Sequence, residues 1–126
     1  DNPKKTKIPN FQGGSYYDTV PGKIHFNYEG IEYSFEPTVS SSGRYFIAFG
    51  DRTNGKSTYG GGRFLYLYPP DSKNKMTIDF NMAYNPPCVF STFTTCPLPP
   101  EENILPIEIH AGELDYKGIL FSSVYE

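Results

Sequence analysis

Along residues 23–36 apolar and polar positions alternate in two runs separated by Glu29-Gly30. Ile24, Phe26 and Tyr28 alternate with Lys23, His25 and Asn27; past Glu29-Gly30, Ile31, Tyr33 and Phe35 alternate with Glu32, Ser34 and Glu36. A period of two sends successive side chains to opposite faces, so this pattern predicts a two-stranded hairpin with one face packed and one wet. Residues 44–49 and 64–68 are apolar at nearly every position, which predicts central strands covered on both sides. Residues 76–81 resume alternation, with Met76, Ile78 and Phe80 on one face and Thr77, Asp79 and Asn81 on the other. Residues 104–111 read as a further strand with Ile107 and Ile109 inward, and 118–124 as an added edge strand. Between them lie turns at 50–62, which holds Asn54-Gly55 and three consecutive glycines, and at 69–74. The pattern predicts an all-β fold, an antiparallel barrel or sandwich of about six to eight strands, with no helix of normal length.

Composition agrees. Aromatic residues make up 17% of the chain, with 11 Tyr and 10 Phe, while alanine occurs only at Ala48, Ala83 and Ala111. Strand formers abound and helix formers are scarce. A chain of 126 residues is long enough for one core without metal or many disulfides. The expected organisation is an extended N-terminal leader over residues 1–22 and a single all-β domain over 23–126. A formal charge of −3 and the absence of a basic stripe argue against nucleic-acid binding. No apolar run is long enough for a transmembrane helix. The chain begins with a polar leader and its start says nothing about an upstream signal or anchor; export to the periplasm, cell surface or exterior is the expectation, with a cytoplasmic location the alternative.

The segment 79–100 departs from all regular patterning, crowding both cysteines and five of the twelve prolines together. A long, rigid, aromatic-rich loop in a small domain is the usual form of a binding or active-site element. Cys88 and Cys96 either close a disulfide around the seven residues between them, worth about 2.5 kcal/mol on the loop-entropy model, or stay as two reduced, packed thiols. The bases available to a catalytic cysteine, His25 and His110, both fall at outward positions of their strands, which argues against nucleophilic catalysis. No paired Cys-x2-Cys spacing supports zinc. The Asn85-Pro86-Pro87 run matches a methyltransferase loop only by coincidence, since no helices and no glycine-rich cofactor turn accompany it. Gly60-Gly61-Gly62-Arg63 lacks the Lys-Ser/Thr and the helix of a phosphate cradle and reads as a turn. No cofactor is expected.

Asp51, Arg63, Asp79, Asn81 and Asn85 all fall at strand ends or in the two long loops, which a barrel would place at one end, with Tyr59 and Tyr84 as aromatic walls. These seven are the candidate ligand-binding residues. The competing reading is an ion pair of Arg63 with Asp51 or Asp79 that pins the loops.

Residues 49–65 (FGDRTNGKSTYGGGRFL), 78–88 (IDFNMAYNPPC), 95–100 (TCPLPP), Asn103 and 111–113 (AGE) resemble the bacterial and archaeal proteins grouped as domain of unknown function 1684 (DUF1684). The resemblance runs from about residue 23 to 113. It implies a longer relative with an added N-terminal region, export signals in many members, and no known activity. It marks as signature positions Asp51, Thr53, Gly55, Thr58, Tyr59, Gly60, Arg63, Asp79, Asn81, Tyr84, Asn85, Cys88, Cys96 and Asn103, and it places Met82 where a basic residue is common. The expected function is an exported domain binding a small molecule or glycan beside residues 84–100. The alternatives are a hydrolase-like enzyme using Asp79 or Asp51 with Arg63, and a purely structural or interaction module.

Overall fold

The structure, a computed structural model, describes residues 4–9, 15–20, 22–89 and 96–115, the first two segments as backbone. Among these residues seven strands follow in chain order: β1 (Lys4–Pro9), β2 (Ser15–Val20), β3 (Ile24–Tyr28), β4 (Ile31–Phe35), β5 (Thr38–Val39), β6 (Tyr45–Phe49) and β7 (Arg63–Leu67). They pair antiparallel as two hairpins, β1-β2 and β3-β4, and one three-stranded sheet in the order β5-β6-β7. The fold is all-β, and among the described residues the only helices are single 3-10 turns at Phe80–Met82, Pro87–Val89 and Glu101–Asn103. The described strands do not close into a barrel.

The β3-β4 hairpin forms as its alternation predicts, with Ile24 opposite Phe35 and Tyr28 opposite Ile31. Its two-residue turn places Glu29 at φ 50° and Gly30 at φ 87°, the twist that suits a tight hairpin, and Asn27 accepts the Gly30 N–H at 3.0 Å. The three-stranded sheet explains the unbroken apolar runs. Tyr45, Ile47 and Phe49 of β6 and Leu65 and Leu67 of β7 face the main core with Phe35, Leu105 and Ile109, whereas Phe46, Ala48 and Phe64 face a second cluster with Cys88 and Cys96. Both faces are covered, so neither strand can spare a polar side. Of the two expected central strands, β6 is central and β7 lies outermost, its outer edge bridged by Tyr84 opposite Phe64.

Three expected elements differ. The 1–22 leader contains the β1-β2 hairpin, with β2 beside β5, because strand-favouring Tyr16, Tyr17, Thr19 and Val20 outweigh the polarity around them. Residues 76–79 half-bury Met76 and Ile78 in alternation, yet among the described residues they pair with no strand, and Asp79 ends the run by capping the turn at Phe80–Met82. Residues 104–111 also fail to become a strand. Ile104 makes a single parallel bridge to Gly50, Arg52 donates to the Ile107 carbonyl at 2.8 Å, and Pro106 has no N–H to extend the ladder. Ile109 is nonetheless fully buried and Ile107 half-buried, as expected. The expected strand at 118–124 lies outside the described residues.

Asn103 locks the hairpin to this segment. Its buried amide accepts the Glu36 N–H at 2.7 Å and donates to the Glu36 carbonyl at 2.9 Å, replacing a strand partner at the end of β4. Phe35, at 0% exposure, packs its ring 4.9 Å from Phe26 and 5.6 Å from Phe49. Phe35→Ala should therefore lower stability by about 3–5 kcal/mol in urea denaturation, while Ile31→Ala, at an exposed position of the same hairpin, should stay within about 0.5 kcal/mol of the parent.

Candidate functional site

Alternation along β7 puts Arg63 on the same face as Leu65 and Leu67, so the strand begins by sending a guanidinium inward. The residue is 1% exposed. Its Nη1 donates to the Ala111 carbonyl and its Nη2 to the Ile109 carbonyl at 3.0 Å, while Nη2 lies 3.6 Å from Asp51 Oδ2. The guanidinium also sits 5.4 Å from the Phe49 ring centroid. Burial lowers its pKa from the usual arginine value and Asp51 pulls the other way. Asp51 is equally enclosed: Oδ1 accepts from the Thr53 hydroxyl at 2.8 Å and Oδ2 from the Ile109 N–H at 2.5 Å. The Thr53 and Thr58 hydroxyls bond at 2.9 Å, Asn54 donates to Thr58 at 2.8 Å, and the Asp51 N–H returns to Asn54 at 2.8 Å. The 50–62 loop is thus wired to the interior by its own small polar side chains.

Two glycines make room for this core. A Cβ on Gly62, at φ 89°, would meet the Phe49 carbonyl at 2.5 Å. One on Gly112, at φ 88°, would come within 2.9 Å of Arg63 Nη1.

The seven candidate residues separate. Arg63 pairs with Asp51, whereas Asp79 is exposed and accepts the Asn81 N–H at 3.0 Å, and Asn81 is exposed beside it. Asn85 is 3% exposed, its N–H donating to Glu113 Oε1 at 2.7 Å and its Nδ2 to the Leu114 carbonyl at 2.9 Å, while Oδ1 meets no donor among the described residues. Tyr59 is half-buried against Gly61, and burial together with Asp115 pushes its phenol pKa up. His25 and His110 lie exposed beside Glu32 and Glu108, and neither meets a cysteine.

Of the seven, only Tyr84 lines the cleft on the other face of the sheet. That cleft, about 380 Å³, is walled by Phe46, Phe64, Tyr66 and Tyr84, rimmed by Thr38 and Ser40, and ends against Pro87 and Pro97. Tyr66 and Tyr84 stack at 6.2 Å with their planes 14° apart, Phe64 meets Tyr84 edge-on at 5.9 Å, and Arg44 lies 4.9 Å over the Tyr66 ring. Burial and the hydrogen-bonded neighbour Tyr66 push the Tyr84 pKa up to about 12, so the Tyr84 phenol stays a neutral hydrogen-bonding group at ordinary pH. Phe46, Phe64, Tyr66, Thr38 and Ser40 are the residues that sequence reasoning missed. The signal was the apolar run at 64–68, which implied a second covered face without saying what covered it.

Cys88 and Cys96 stand at disulfide distance under this cleft, Cα to Cα 6.2 Å, with the Cys88 N–H donating to Cys96 Sγ at 3.2 Å. Phe90 and Phe93, between them, lie outside the described residues. Among the described residues no group of His, Cys, Asp and Glu is placed to hold a metal ion, and no helix is long and apolar enough to cross a membrane.

Arg63→Met should cost about 3–5 kcal/mol in denaturant unfolding, because it leaves the Asp51 carboxylate buried and unpaired, and a further Asp51→Asn change should recover part of that loss. Protein alkylated without reductant should show no free thiol by mass, and the Cys88→Ser, Cys96→Ser double variant should lose about 2.5 kcal/mol while keeping its far-UV circular dichroism.

No curated protein matches the chain significantly. Among solved structures, an uncharacterised protein from Haloarcula marismortui determined by solution NMR is similar, with 29% identity and a TM-score of 0.70 over 90% of this chain. The chain spans 65% of that protein's length. The family model described as protein of unknown function (DUF1684) matches residues 1–114, taking in the β1-β2 hairpin as well as both loops of the site. From its N-terminal hairpin to the Ala111-Gly112-Glu113 turn that seats Arg63, the chain belongs to the DUF1684 family.

Proposed function

We propose that this chain is an exported binding module that takes a glycan in the cleft of Phe46, Phe64, Tyr66 and Tyr84, without catalysing a reaction. The observation that carries the reading is that cleft itself, a concave aromatic surface of about 380 Å³ seated on the disulfide-distance cysteines and flanked by prolines. A sugar ring offers an apolar face to aromatic side chains and hydroxyls to a polar rim, and here the rim carries Thr38, Ser40 and the hydroxyls of Tyr66 and Tyr84. Prolines and a bridge would hold such a surface in its bound shape beforehand, which lowers the ordering cost of association. Export is proposed on the same cysteines, since a disulfide persists where the surroundings are oxidising. The scaffold reads as an open sandwich rather than a closed barrel, because the β5-β6-β7 sheet carries apolar residues on both faces.

The hydrolase-like alternative finds less support. Asp51 is shut away against Arg63, Asp79 caps an exposed turn, and neither lines the cleft. The signature of the chain then divides: the Asp51 and Arg63 half holds loops in place, and the Tyr84 half offers a surface.

A thermal-shift screen of soluble oligosaccharides tests this. A glycan present at 100 times its Kd should add about 2.7 kcal/mol of stability, and Tyr66→Ala and Tyr84→Ala should each abolish the shift while leaving the fold intact. A shift that survives in both variants would place the ligand elsewhere and overturn the assignment.

A further inference from the structure

Apart from the aromatic cleft, and sharing no lining residue with it, two segments border one groove without backbone hydrogen bonds to each other. One wall is β3, every residue of which lines the groove; the other is the segment holding Lys75, Met76 and Ile78. The space between is about 890 Å³, larger than the aromatic cleft. Its floor is apolar, because Ile24, Phe26 and Tyr28 and, facing them, Met76, Ile78 and Phe80 all turn toward the main core. At one end the walls touch through rings alone, Phe80 lying 5.9 Å from Phe26 and 6.0 Å from Tyr28.

Neither wall is a finished sheet. β3 pairs with β4 only, and among the described residues no backbone group reaches its outer edge. Among the described residues the main-chain groups of Met76, Thr77 and Ile78 meet no backbone partner either, although the segment buries alternate side chains as a strand would. Two facing rows of open donors and acceptors above an apolar floor are what an added strand requires: backbone bonds on both sides and pockets for every second side chain. Charge narrows the guest. The charged residues lining the groove are Lys23, His25 and Lys75, with no carboxylate. His25 leans on Glu32 at 3.5 Å, while Lys23 and Lys75 form no ion pair among the described residues.

We propose that this groove accepts an extended, acidic segment of a partner protein, with apolar residues at alternate positions, as a strand added between β3 and residues 75–78. The guest's apolar side chains would continue the floor, and its carboxylates would reach Lys23 and Lys75 at the rim.

The test uses the whole chain and a synthetic ten-residue peptide of alternating Val and Glu, capped at both ends, with amide hydrogen exchange followed residue by residue by NMR. The acidic peptide should slow exchange at amides of both walls, within Ile24–Tyr28 and within 76–78. A Val-Lys peptide, and an acidic peptide interrupted by a central proline, should each bind at least tenfold more weakly. A Lys23→Glu, Lys75→Glu double variant with unchanged circular dichroism should bind the acidic peptide at least tenfold more weakly and leave glycan binding at the Tyr84 cleft untouched. Protection absent from either wall at saturating peptide overturns the proposal, as does equal binding of the Val-Lys peptide. Sedimentation that shows the free protein pairing through this edge would also overturn it, in favour of a second copy as the occupant.

Discussion

A guanidinium sealed inside an apolar core has to be answered by acceptors, and the shape of this protein follows from how Arg63 is answered. Asp51 comes from the loop before it, and the carbonyls of Ile109 and Ala111 come from a segment almost fifty residues later. Asp51 in turn takes the Ile109 N–H, so one carboxylate and one guanidinium stand in for the ladder that residues 104–111 do not build. Taking both charges out of water is costly, and the pair is better understood as a device that fixes one arrangement of loops than as a source of net stability. The requirement reaches further than the ions. A side chain at Gly112 would run into the Phe80 carbonyl, Ala83 and Arg63 Nη1, and the Thr53 hydroxyl, itself bonded to Thr58, donates to Asp51.

With the loops held, the three-stranded sheet can present two apolar faces at once. One face closes the main core around Phe35, Phe49 and Leu65, and Asn103 stitches the β3-β4 hairpin onto it. The other packs Ala48 and Phe64 on the cysteines and leaves Tyr66 and Tyr84, each 36% exposed, as a stacked aromatic surface. The cleft is therefore built from the side of the sheet that the charge network does not use. The unpaired outer edge of β3 sits on a third part of the surface, so the two proposed contacts, glycan and added strand, do not compete for the same residues.

The hairpin at 23–36, the two apolar strands and the disulfide-distance cysteines were legible in the sequence, because period-two alternation, unbroken apolar runs and proline-flanked cysteines are local signals. The pairing of Arg63 with a carboxylate was legible as well, since a strand-end arginine beside three glycines has to go somewhere. Which carboxylate it takes was not: Asp51 and Asp79 look alike along the chain, and only the path of the 50–62 loop brings one of them inside. Residues 76–79 and 104–109 alternate like strands and bury side chains like strands, yet no local pattern reveals whether a neighbour exists to pair with them.

The cleft marks the same boundary. Phe46, Phe64, Tyr66 and Tyr84 come from strands and a loop nearly forty residues apart, and nothing in their spacing joins them. The sequence by itself determined an all-β chain, its family, its turns and the residues rich enough in chemistry to watch. Tertiary structure decided which of those residues are sealed in the interior and which line the cleft, because burial and strand pairing depend on contacts between distant segments, and a local pattern carries no record of them.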